Sequence, residues 1–120
     1  MKVRLTLALI IICAVGLPLS AQTSKSRVAN DLSRLQAILI DSQNDKVTIS
    51  ADAWRVTGNE ANSLANRIAA NASGQKAARD LRTHVHEMQA AALSGDAAGA
   101  RSHAGMALPF AYQLSDWASK

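Results

Sequence analysis

Apolar residues recur at helical steps in four separate stretches of this 120-residue chain, and that rhythm points to an all-α fold. From about Ser26 to Ser42, the positions Val28, Leu32, Leu35, Leu39 and Ser42 follow one another at steps of four and three. Between Ser50 and Ala72, Trp54, Ala61, Leu64, Ala65, Ile68 and Ala72 share a face. Between Gly74 and Leu93 the stripe is Ala78, Leu81, Val85, Met88 and Ala92. Between Asp96 and Ala118 it is Ala100, Ala104, Ala107, Ala111, Leu114 and Ala118. The punctuation agrees with the periodicity. Ser24 or Ser26 is placed to cap the first helix and Ser50 the second, with Asp52 near the positive end of the second helix dipole. Gly95 closes the third helix and Asp96 caps the fourth.

Strand character is confined to Val47-Thr48-Ile49, too short to build a sheet. An aromatic share of 3% also speaks against a β-sandwich, which relies on aromatic and β-branched side chains. The expected architecture is a single-domain antiparallel four-helix bundle with short loops, following an N-terminal signal peptide. Alanine-rich stripes let helix axes approach closely but leave a thin core, which Trp54, Phe110, Tyr112 and Trp117 are available to fill.

The signal peptide is read from the first residues. Lys2 and Arg4 precede an apolar run, LTLALIIICAVGLPL from Leu5 to Leu19, and small residues lead to a cut after Ala21. The run has 15 residues, short of the roughly 20 that span a bilayer. The expected division is residues 1–21 as signal peptide and 22–120 as helical bundle, with the mature protein periplasmic or secreted. The membrane is then met only through the uncleaved leader.

Cleavage removes Lys2 and Arg4 and lowers the net charge from +4 to +2. What remains is basic residues interspersed with acids, without the basic stripe and aromatic partners of a nucleic-acid binder. Cys13 leaves with the leader, so thiol catalysis and thiol redox chemistry are excluded from the mature chain. No G-x-S-x-G elbow and no phosphate-cradling glycine loop is present. Asp80 and Glu87 read as partners of Arg79, Arg82 and neighbouring charges rather than as an acid/base pair. The loop from Asp41 to Lys46 has acids at two calcium-hand positions, but Lys46 stands where the sharp turn needs glycine. The expectation is a non-catalytic protein.

Histidine and methionine carry the one chemical constellation. In the mature chain they lie on the last two helices: His84, His86, Met88, His103 and Met106. His84 and Met88 are four apart, and His103 and Met106 three apart, so each pair shares a helix face. Folding the hairpin about Gly95 brings His84 level with Met106 and Met88 level with His103. Two imidazoles with two thioethers suit copper, above all Cu(I), because thioether sulfur is soft. The competing view makes Met88 a core residue and the histidines polar shoulders of their stripes, with His86 solvated. A b-type haem with His84 and His103, or a histidine and Met106, as axial pair is the lesser alternative. Covalent haem is excluded by the lack of Cys-x-x-Cys-His.

A second surface is drawn by Asn59, Asn62 and Asn66 at steps of three and four. Together with Trp54 it suggests docking to another periplasmic protein, the reading of a structural or regulatory interaction module without a ligand. The sequence leaves the oligomeric state open.

Overall fold

The computed structural model describes residues 19–46 and 48–120. These form four helices and no strand: α1 (Leu19–Gln43), α2 (Ala51–Asn71), α3 (Lys76–Leu93) and α4 (Ala97–Ser119). The arrangement is compatible with a four-helix bundle. The expected leader lies, over residues 1–18, outside the described residues. No helix among the described residues is long and apolar enough to cross a membrane.

Two helix starts follow from side-chain capping. Ser50 Oγ accepts the Ala53 N–H at 3.2 Å, and Asp96 Oδ1 accepts the Gly99 N–H at 2.9 Å. Each satisfies a donor that the first turn leaves without an intrahelical partner. The other two starts differ from the sequence expectation. α1 is already helical at Leu19, well ahead of Ser26, so Ser24 and Ser26 are interior to it; the apolar stripe begins only at Val28 and gives no signal for the preceding polar turns. α3 begins at Lys76 rather than Gly74, because Gly74 turns left-handed at φ +90°, a conformation that cannot open a right-handed helix. The end of α3 is a Schellman turn. Gly95, at φ +81°, donates its N–H to Ala92 O at 3.2 Å, and Asp96 donates to Ala91 O at 2.8 Å. That turn reverses the chain between α3 and α4.

Adjacent helices run in opposite directions. Between α1 and α2, Arg67 grips Asp31 with two hydrogen bonds at 2.9 and 3.2 Å, while Arg34 pairs with Glu60. The hydrogen bond to Asp31, with its charge, raises the Arg67 guanidinium above its ordinary pKa. Between α2 and α3, Gln89 donates to Asn59 Oδ1 at 2.7 Å. Between α1 and α4, Gln36 donates to Ala111 O at 3.4 Å and Arg101 to Ser42 O at 3.4 Å. The interior is the stripes read from the sequence: Val28, Leu32, Leu35 and Leu39 on α1, Leu64 and Ile68 on α2, Leu81, Val85 and Met88 on α3, Leu114 on α4, with alanines between them. Burial of this apolar surface is the main force holding the helices together.

Trp54 corrects one expectation. It is 4% exposed and belongs to the core, so it cannot form an outer docking surface with Asn59, Asn62 and Asn66. A large ring near the start of α2 fills space that small alanines leave. The Arg101 guanidinium lies 5.6 Å from its ring centre, a cation–π distance. Asn59 is held by Gln89, Asn62 is half-buried with its Oδ1 unpartnered, and Asn66 faces solvent.

Gly58 of α2 lies against Gln89 and Ala92 of α3. A Cβ built there would meet Gln89 Cα at 3.4 Å and Ala92 Cβ at 3.5 Å, ordinary van der Waals contact. Gly58→Ala therefore gains helix propensity of about 1 kcal/mol without a clash, whereas Gly58→Leu forces the helices apart and destabilises by about 1–3 kcal/mol. Urea unfolding of the two variants checks this: the midpoints are expected to move in opposite directions.

Candidate metal centre

α3 and α4 are consecutive and antiparallel, so side chains flanking their core stripes face one another along an outer seam. On α3, Val85 and Met88 point inward at 0% exposure. His84 sits beside them at the edge of the stripe and is half-buried. Each helical residue is rotated by about 100° from the last. Glu87 therefore lies about 60° from His84 on the side away from the core, while Met88 lies about 40° towards it. On α4, His103 and Phe110 differ by only about 20°, seven residues apart, and both are half-buried.

The three rings form a column. The His84 ring is parallel to Phe110, with centroids 5.6 Å apart and planes 8° from each other. It also stacks with His103, centroids 6.2 Å apart at 28°. Ligand atoms of His84, Glu87 and His103 all lie within 4.8 Å of one another. Glu87 Oε2 is 3.5 Å from His103 Nδ1, beyond an ordinary N–H···O hydrogen bond. His103 Nδ1 and His84 Nδ1 are both buried and lack a hydrogen-bond partner. A buried polar atom without a partner costs about 1–3 kcal/mol, and two such atoms on neighbouring imidazoles form a pair of donors awaiting a common acceptor or ion.

The sequence-derived ligand set is brought together only in part. His84 and His103 meet, as the hairpin register requires. Met106 is 47% exposed and Met88 is sealed in the core. By helical phase Met88 lies about 40° to the core side of His84, and Met106 about 60° to the solvent side of His103. Glu87 joins the two histidines. It was assigned to neighbouring arginines, but Asp80 is the acid that pairs locally, with Lys76 Nζ at 2.6 Å. The His84-x-x-Glu87 spacing was the available signal for it, since residues three apart share a helix face.

The charge balance of the centre is one carboxylate and two imidazoles, with the His103 side chain 26% and the Glu87 side chain 47% exposed. Two nitrogens and one oxygen form a borderline donor set, suited to Zn²⁺ or Cu²⁺. This set is harder than the His/Met set expected for Cu(I), because it includes a carboxylate.

Compared with known protein families, curated proteins and solved structures, the chain finds no match.

Proposed function

We propose that this chain is an exported, non-catalytic helical protein that binds one divalent transition-metal ion between α3 and α4, through His84, Glu87 and His103. The observation that carries the reading is the pair of buried imidazole Nδ1 atoms without a hydrogen-bond partner beside the half-exposed Glu87 carboxylate. Among the described residues neither atom has a hydrogen-bond partner, and a metal ion would accept both lone pairs while Glu87 neutralises part of its charge. Two of the three ligands are neutral, so the ion keeps a residual positive charge at the seam. Ion and protein would separate readily in acid, because imidazole must lose its proton to coordinate.

The direct test is equilibrium dialysis of the purified mature protein against Zn²⁺ and, separately, Cu²⁺. One ion per chain is expected. His84→Ala and His103→Ala each weaken binding by at least about 100-fold, while Glu87→Gln weakens it by about 10-fold. Met88→Leu leaves it unchanged. Unaltered binding in both histidine variants would refute the site.

A further inference from the structure

We infer that the His84–Glu87–His103 centre leaves one coordination position open to a small anion, so that its ion is held exchangeably; the inference rests on the metal reading above. Among the histidine, cysteine and acidic side chains of the described residues, three donors converge, one fewer than a closed tetrahedral site requires. Structural zinc sites are closed by four protein ligands, whereas sites that exchange ligands keep a place for water or a substrate.

The surroundings show on which side that place lies. The inner side of the seam is filled: Met88 and Val85 are fully buried beneath it, and Phe110 lies flat against His84. The outer side is solvent. The Glu87 side chain is 47% exposed, and Met106, one turn along α4 from His103, is 47% exposed. An ion held by the three donors therefore presents its remaining position outward, where water or a small anion reaches it without displacing any packed side chain. A residual positive charge favours an anion there over a neutral ligand. The same opening offers a route for removal. An incoming donor binds at the free position first, and the exposed Glu87 arm is the ligand that yields.

Co²⁺ in place of the native ion provides a spectroscopic readout, and azide is the anionic probe. Co²⁺ binding should produce visible d–d absorption that His103→Ala abolishes. Azide should then shift the band position and intensity along a saturating curve with one azide per ion, and Met106→Leu should behave as the unaltered protein does. A cobalt spectrum that azide leaves untouched overturns the open position while the metal site stands. So does a spectrum that Met106→Leu changes before azide is added, since the thioether would then be the fourth ligand. Failure to develop any cobalt spectrum overturns the inference and the metal reading together.

Discussion

Zinc at a hundredfold excess over its dissociation constant is expected to raise the thermal unfolding midpoint by roughly 10–20 °C. An ion that binds only the folded chain stabilises it by about 2.7 kcal/mol at that excess, and each kcal/mol moves the midpoint of a domain near 100 residues by about 4–8 °C. The site makes folded-state selectivity plausible on structural grounds. Its ligands come from two helices, with His84 and Glu87 on α3 and His103 on α4, and they converge only when the hairpin about Gly95 is closed. Isolated histidines of the unfolded chain offer no such chelate. His84→Ala and His103→Ala should each erase the zinc-dependent shift. Acidification should erase it too, with a definite sign: protons compete for the imidazole nitrogens, so the increment is present at neutral pH and is lost as the pH falls. Differential scanning calorimetry with and without zinc, at neutral and acidic pH, checks all three. A shift that persists in the double variant His84→Ala/His103→Ala would place the ion elsewhere.

The second large effect concerns the core. Leu81→Ala and Leu35→Ala should each lower the unfolding free energy by about 2–5 kcal/mol, the cost of the lost apolar contacts plus the cavity left behind. Both side chains are 0% exposed. Many of the buried positions in the same core are alanines, among them Ala61, Ala65, Ala104, Ala107 and Ala111. Alanine has no side-chain torsion with which to reach into a void, so the site relaxes poorly and the upper half of the range is expected. Against a typical domain stability of about 5–15 kcal/mol, either change removes a large share. Urea titration followed by helical circular dichroism measures it, with Ser63→Ala on the exposed face of α2 as the control expected to stay within about 0.5 kcal/mol. A loss below about 1 kcal/mol in both leucine variants would mean that the few large side chains do not hold this bundle together.

Much of this architecture was legible before any coordinates. The stripe from Val28 to Leu39 and those from Ala61 to Ala72, Ala78 to Ala92 and Ala100 to Leu114 are all buried, because a 3.6-residue period leaves an amphipathic segment one way to hide its apolar side. Ser50 and Asp96 cap where their chemistry places them. The start of α1 was not legible, since Leu19 to Arg27 carries no periodic apolar signal. The start of α3 was misplaced by two residues, since a glycine marks a break without giving its handedness.

The candidate site divides along the same line. Spacing about the turn at Gly95 put His84 level with Met106 and Met88 level with His103, and so brought the two histidines within a turn of each other. Spacing could not say which neighbours would face them. Met88 and Glu87 are adjacent in the chain, yet one lies in the core and the other reaches the histidines, and Met106 turns to solvent. The choice depends on the rotation of each helix about its own axis, which is set by how the α3 and α4 stripes pack against α1 and α2. Local periodicity thus determined the four helices, their inward faces and the histidine pairing. Which side chain stands beside the two histidines was decided by helix–helix packing, a long-range balance that no single segment encodes.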